Sequence, residues 1–235
     1  MTGTPAIEVR DLSVHYGTVH ALDDVTLRLD HGLIHGLIGT NGSGKSTLFN
    51  ALTGEIRPTS GTVAVTDRAD HLVSYVPQAE QVDWTFPLTV REVVTTGRYG
   101  HTGFLRRPRR TDRDAVADAL ARTDLTHLAD RQIDQLSGGQ KKRAFVARGL
   151  AQQARTVLLD EPFAGVDTTS QAMITTLLHE LAAAGACILI STHDLSSVDA
   201  LCDTVTLLHR RVLAHGAPSA VMTSDNLLHA FGMVA

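Results

Sequence analysis

Leu33-Ile34-His35-Gly36-Leu37-Ile38-Gly39-Thr40-Asn41-Gly42-Ser43-Gly44-Lys45-Ser46-Thr47-Leu48 reads as three successive pieces of structure. Residues 33–39 are mostly apolar, as in a strand covered on both faces. A glycine-rich turn follows, then a predicted helix from about Lys45 to Leu52 that stops at Gly54. The turn fits G-x-x-x-x-G-K-[ST] at every position from Gly39 to Ser46. Its glycines let main-chain N–H groups approach an anion closely, and the helix that opens there points its positive end at the same place. Gly39, Thr40, Asn41, Gly42, Ser43 and Gly44 would wrap phosphates, with Thr47 in the same set. Lys45 would reach the β- and γ-phosphates of a nucleoside triphosphate, and the Ser46 hydroxyl would ligate Mg²⁺. A complete match between a strand and a helix makes a chance glycine turn the poorer reading.

A second apolar run, Val157-Leu158-Leu159, ends in Asp160-Glu161. It would carry two carboxylates to the edge of a sheet where open α/β folds bind ligands. Asp160 would hold Mg²⁺ through water, and Glu161 would polarise an attacking water as general base. Two acids at a strand end would otherwise serve solubility, but a phosphate loop in the same chain changes the balance. His193 follows the next apolar strand, in Ser191-Thr192-His193-Asp194, from where its imidazole would reach the γ-phosphate.

Around these points strand and helix alternate, which argues for a mainly parallel sheet covered by helices. Half-exposed strands are expected at Ala6–Leu12 and Val25–Leu29, and further strands at Thr62–Thr66, Leu72–Val76, Thr156–Asp160, Ala186–Ser191 and Thr204–His209. Helices are expected at Thr168–Ala184 and Leu195–Cys202. Between about Pro77 and Arg148 the pattern turns helical, at Val90–Thr96 and Asp112–Arg122, as for an inserted lobe.

The chain has 235 residues, enough for one well-cored α/β body. A formal net charge of −4 gives no support for nucleic-acid binding. No apolar stretch approaches the ~18 residues needed to cross a bilayer, and the N-terminus does not read as a signal peptide. Any membrane role is therefore expected to come through a partner. Cys187 and Cys202 match neither a zinc spacing nor a redox pair and read as buried thiols. The 12 histidines, among them His31, His35, His209 and His215, are not arranged as a clear ligand set. Arg106-Arg107-Pro108-Arg109-Arg110 reads as a solvated loop, or else as a patch facing anionic lipid or an acidic partner.

Leu136-Ser137-Gly138-Gly139-Gln140 narrows the class. With Tyr16, the loop at 39–46, Gln78, Asp160-Glu161, Asp167 and His193 in that order, the chain resembles the ATP-binding-cassette (ABC) ATPases over nearly its full length. The resemblance implies an α/β P-loop NTPase (RecA-like) core with an antiparallel β subdomain and an inserted α-helical subdomain. It implies one ABC ATPase domain over 1–235, with the core at about 1–85 and 149–235 and the helical signature subdomain at about 86–148. Tyr16 would stack on adenine, and Gln78 would join the Mg²⁺ shell and sense a membrane partner. Ser137, Gly139 and Gln140 would contact ATP held by the phosphate loop of a second copy, so that activity belongs to a homodimer. Asp167 would communicate between the two sites. Lys141-Lys142-Arg143 departs from the Gln-Gln-Arg of many relatives, and Ala164-Gly165-Val166-Asp167 from the commoner Ser-Ala-Leu-Asp.

The finer resemblance is to the ATPase subunits of bacterial manganese, iron and zinc importers. It rests on Val82-Asp83-Trp84-Thr85-Phe86-Pro87-Leu88-Thr89-Val90, Gly97-Arg98-Tyr99-Gly100 and Phe104-Leu105-Arg106-Arg107-Pro108, supported by Glu161-Pro162-Phe163-Ala164-Gly165-Val166-Asp167 and by the Gly139-Gln140-Lys141-Lys142-Arg143 wording. It implies ATP and Mg²⁺ as cofactors, with integral permease subunits as direct partners and an extracytoplasmic metal-binding protein as an indirect one. No nucleic acid is implied, and the expected location is the cytoplasmic face of the membrane. The patch around Trp84 suits a helix-in-groove contact with the permease. The alternatives are another ABC transporter, for a siderophore, haem or lipid, and a non-transport ABC ATPase acting on nucleic acid or ribosomes.

Overall fold

The computed structural model describes residues 4–66, 73–78, 87–102 and 108–231. Two sheets share the work. A hairpin of β1 (Ile7–Tyr16) and β2 (Val19–Leu29) is joined on the far side of β1 by β4 (Ser60–Val65), giving three antiparallel strands. The larger sheet runs β5 (Val73–Val76), β6 (Thr156–Asp160), β7 (Cys187–Thr192), β3 (Ile34–Ile38), β8 (Thr204–His209) and β9 (Arg211–Gly216). All of its pairings are parallel except β8 with β9. Every residue of β3, β6 and β7 is buried, as continuous apolar runs require in a sheet covered on both faces.

The helices follow from equally local rules. Helix α1 (Lys45–Thr53) ends at Gly54, whose φ of 85° supplies the left-handed turn. Thr89 and Glu92 form a reciprocal capping box at the start of α2 (Val90–Thr96). Then come α3 (Arg110–Arg122), α4 (Gly138–Ala151) and α5 (Thr168–Ala183). Three short helices, α6 (Val198–Leu201), α7 (Pro218–Val221) and α8 (Ser224–Ala230), complete the set among the described residues.

The sheet divides two apolar cores. One lies between the larger sheet and the antiparallel strands, and includes Leu22, Leu37, Leu48, Phe49 and Leu189. The other runs unbroken from the opposite face, through Ile38, Leu159 and Ile190, into α2, α3 and α4 through Val94, Leu120 and Phe145. The helical region is thus packed as an extension of the sheet's own core.

Several boundaries differ from the sequence reading. The predicted strands Ala6–Leu12 and Val25–Leu29 extend to Tyr16 and begin at Val19, respectively. Register shifts between Val9 and Leu12 and between Leu12 and Val14 break the two-residue alternation that periodicity reads. The helix predicted at Leu195–Cys202 is a single 3₁₀ turn, Leu195–Ser197, followed by α6. Asp112–Arg122 starts two residues earlier, at Arg110. Trp84, Phe86 and residues 103–107, on which much of the finer resemblance rests, lie outside the described residues.

Arg98, which enters the sequence reading only as part of a family wording, is a structural residue. Its Nε donates to Asp112 Oδ1 at 2.9 Å, and its Nη1 donates to Ala151 O at 2.8 Å and Gln153 Oε1 at 3.0 Å. Both charged side chains are buried, and Asp112 also accepts from the Arg109 N–H at 2.8 Å, which helps hold its carboxyl below the usual range. The cluster staples α2 to α3 and α4. Gly97 beside it allows the approach, since a Cβ there would lie 2.2 Å from Arg148 O. Replacing Arg98 by Met strands a buried carboxylate and is expected to cost about 3 kcal/mol of stability. Urea denaturation checks this; a loss within experimental error of zero would show the pair to be dispensable.

Candidate nucleotide site

The phosphate loop leaves β3 and enters α1 through Gly44, at φ 103°. A side chain is excluded there, because a Cβ would sit 2.6 Å from Leu22 Cδ2 and 2.7 Å from Ala21 O. The loop curls around its own lysine. Lys45 Nζ donates to Gly39 O at 2.7 Å and Thr40 O at 3.1 Å, and burial holds its pKa below the ordinary lysine value. Ser43 is buried beneath the loop, where its main-chain oxygen accepts from the Arg210 N–H at 2.7 Å.

Strand order explains how distant motifs meet. Loop 39–46 leaves the end of β3, His193 follows β7, Asp160 ends β6 and Gln78 follows β5. These four strands are consecutive in the sheet and parallel, so their carboxyl ends form one edge. Along it lies a cavity of about 320 Å³, lined by Tyr16, Asn41, Gly42, Gly44, Lys45, Ser46, Thr47, Gln78, Asp160 and Glu161. Val19, His20, Ala21 and Arg210 line it too. Those four carry no motif by which sequence could single them out.

The two acids are held by one hydroxyl. Ser191 Oγ donates to Asp160 Oδ1 at 2.5 Å and accepts from the Glu161 N–H at 2.9 Å. Ser46 Oγ donates to Asp160 Oδ2 at 3.5 Å. Burial, opposed by the Ser191 bond and aided by neighbouring Glu161, pushes the Asp160 carboxyl above its ordinary value. A buried carboxylate with a hydroxyl beside it, in a cavity that the Gln78 amide also lines, is an oxygen-bearing set that fits a small divalent cation. Ser46, Gln78 and Asp160 therefore match Mg²⁺ in donor chemistry.

Glu161 departs from the ordinary backbone: its φ is 49°, a left-handed conformation that costs a residue with a Cβ roughly 1–2 kcal/mol. Its carboxylate accepts from Gln78 Nε2 at 3.3 Å, and His193 Nδ1 lies 3.3 Å from the other oxygen. The Glu161 side chain is 11% exposed and lines the cavity, whereas that of His193 is 63% exposed and lies outside the lining, reaching the site only through Glu161.

Ser137, Gly139 and Gln140 do not line this cavity. Ser137 caps α4, accepting from Gln140 N at 3.3 Å, while Gln140 Oε1 accepts from Ser137 N at 2.9 Å. Gly139 lies against Asp167, where a Cβ would come within 2.8 Å of Asp167 Oδ2. Asp167 itself caps α5, accepting from Ser170 N at 2.9 Å. The histidines considered as metal ligands are engaged differently: His35 is bonded through Nδ1 to Thr204 Oγ1 at 2.6 Å and through Nε2 to Asp30 O at 3.0 Å. His215 Nδ1 pairs with Thr206 Oγ1 at 2.8 Å. Among the described residues no cluster of three or more His, Cys, Asp or Glu side chains could hold a metal ion. Neither Cys187 nor Cys202 is in a disulfide, and both are buried.

With loop, paired acids and helical extension in place, residues 22–164 match the ABC transporter family, and the chain belongs to it as one of its ATPases. That span includes the phosphate loop, residues 136–140 and Asp160-Glu161; Tyr16, Asp167 and His193 lie outside it. The chain is 46% identical to the manganese transport system ATP-binding protein MntA of Synechocystis, over 96% of this chain and 90% of that one. It is 45% identical to the chelated iron transport system membrane protein YfeB of Yersinia pestis, over 98% of this chain and 80% of the relative. Among solved structures, a chain of a metal-chelate-type ABC transporter in an inward-facing conformation superposes with a TM-score of 0.87. It is 30% identical, covering 97% of this chain and 90% of its own.

Proposed function

We propose that this chain is the ATP-hydrolysing subunit of a bacterial-type importer for a transition metal, with manganese the first choice of cargo and iron or zinc next. It would work as a homodimer bound to the cytoplasmic face of a membrane permease. The observation that carries the reading is the 46% identity, across nearly all of both chains, to a manganese-system ATP-binding protein. No helix among the described residues is long and apolar enough to cross a membrane.

Each residue has a chemical task in this scheme. Tyr16, half exposed at the cavity's end, would stack on adenine. Main-chain N–H groups of the loop and Lys45 would take the phosphates. Ser46, Asp160 and Gln78 would hold Mg²⁺, which when bound neutralises charge building on the phosphates. Glu161 would orient and deprotonate the attacking water, and His193, beside it, would face the γ-phosphate. Ser137, Gly139 and Gln140 lie away from the cavity of their own chain, which supports their acting on nucleotide held by a second copy. ATP binding would then favour the closed pair, and hydrolysis and phosphate release the open one.

A groove of about 460 Å³ between the core and the helical region, lined by Tyr75, Thr96, Gly97, Arg148 and Gln152 among others, would take a permease helix. An extracytoplasmic binding protein would deliver the metal to that permease. Deleting this subunit is expected to lower manganese accumulation under scarcity several-fold. Unchanged uptake of manganese, iron and zinc alike, in cells with no redundant importer, would overturn the cargo assignment.

A further inference from the structure

We infer that Lys142 is a positioning residue for Glu161, fixing the main chain of the general base from the signature helix of the same chain. The inference rests on the reading of Glu161 as that base. Lys142 Nζ donates to the Glu161 carbonyl oxygen at 3.1 Å and also to the Ala164 carbonyl oxygen. Those two carbonyls bracket the turn that leaves β6, in which the Ala164 N–H donates to Glu161 O at 3.3 Å. One ammonium therefore ties both ends of the turn to α4.

The need for such a tie is visible in the backbone. Glu161 holds φ at 49°, a conformation that persists in a residue with a Cβ only where its surroundings over-determine it. Its N–H is fixed from β7 by Ser191 Oγ, and its C=O is fixed from α4 by Lys142. With both peptide groups of the residue anchored, the carboxylate is aimed toward Gln78 and His193 rather than left to swing with the turn. An ammonium can supply both carbonyls at once and makes charge-assisted bonds to each. The departure from the commoner Gln-Gln-Arg wording thus falls on the residue that grips the base.

Lys142 also sits little more than one helical turn from the α4 N-cap, Ser137, whose carbonyl accepts from Lys141 N at 2.9 Å. A displacement of the start of α4 is therefore passed to the main chain of Glu161 through a single side chain.

The test uses the 235-residue chain and four variants, Lys142→Met, Lys142→Arg, Glu161→Gln and the Lys142→Met/Glu161→Gln double, with MgATP affinity, kcat and KM measured for each. Lys142→Met is expected to lower kcat by about tenfold or more, because the base is misaimed, with MgATP affinity held within about twofold. Lys142→Arg, which keeps a multivalent cationic donor, is expected to recover most of the loss. In a Glu161→Gln background the Met substitution should add little, since residues acting as one unit are not additive. Full kcat in Lys142→Met, or an equal further loss on top of Glu161→Gln, would overturn the inference. If Lys142→Met does not fold, Lys142→Arg decides, since an Arg variant that folds and binds MgATP but has lost turnover contradicts the cation-bridge account. Normal turnover by Glu161→Gln would sink the general-base reading itself, a different result from failure of Lys142 alone.

Discussion

Glu161→Gln is expected to lower steady-state ATP hydrolysis by about 10²–10⁴-fold, the usual worth of a general base, while MgATP binding survives. Glutamine keeps the shape of the side chain and can still meet Gln78 and His193, 3.3 Å from the carboxylate oxygens. The main-chain bonds to Ser191 and Lys142 do not involve the carboxylate, so the strained backbone should hold. What disappears is the ability to accept a proton. A chain that binds ATP and cannot consume it should accumulate as a closed pair, visible as an ATP-dependent dimer on gel filtration. Wild-type turnover by the variant would remove Glu161 from the reaction.

The largest stability effect is expected from Phe49→Ala, at about 3–5 kcal/mol. Phe49 is fully buried on the inner face of α1 and stacks on Tyr75 with ring centroids 5.7 Å apart. It lies four residues after Lys45, on the same face of the helix that leaves the phosphate loop. Truncation would remove a ring from the core between the two sheets and leave a cavity that strand backbones on either side cannot close. Phe49→Leu, which keeps most of the volume, should cost less than half as much. Chemical denaturation gives both values from the midpoints. A cost below about 1 kcal/mol for the alanine variant would mean that the core relaxes into the gap.

How plainly the amino-acid sequence announces each of these features depends on how local its signal is. Thr156–Asp160, Thr204–His209 and Val90–Thr96 appear with their expected limits, because apolar runs and a Thr-to-Glu capping box are local signals. The phosphate loop, Asp160, Glu161, Gln78 and the strand placement of His193 follow from motif order and converge on one sheet edge. What periodicity could not carry was non-local or irregular. Bulges hid the length of the β1–β2 hairpin. The turn between β8 and β9 contains Arg210 at φ 60° where a glycine would have announced it. Ser191 looks like any residue at a strand end until β7 is known to lie beside β6, which pairs it with Asp160. Lys142 is visible in the sequence only as part of a family wording, since the carbonyls it grips are 19 and 22 residues away in the chain.

The order of the larger sheet has a consequence for which parts of the molecule can drift over evolutionary time. β7 separates β6 from β3, so the strand backbones that carry the acids and the phosphate loop run two strand intervals apart, roughly 9–10 Å. Main-chain hydrogen bonds set that distance, and substitutions in the strands can change their packing without changing the gap. The sheet acts as a fixed gauge between the two motifs. Tolerance is therefore expected to differ between the two sides of the site. Strand residues can exchange one apolar side chain for another at modest cost to chemistry. Residues that hold the site from a helix, Lys142 on the turn after β6 among them, have no such gauge, and small changes there should be felt in rate before they are felt in stability.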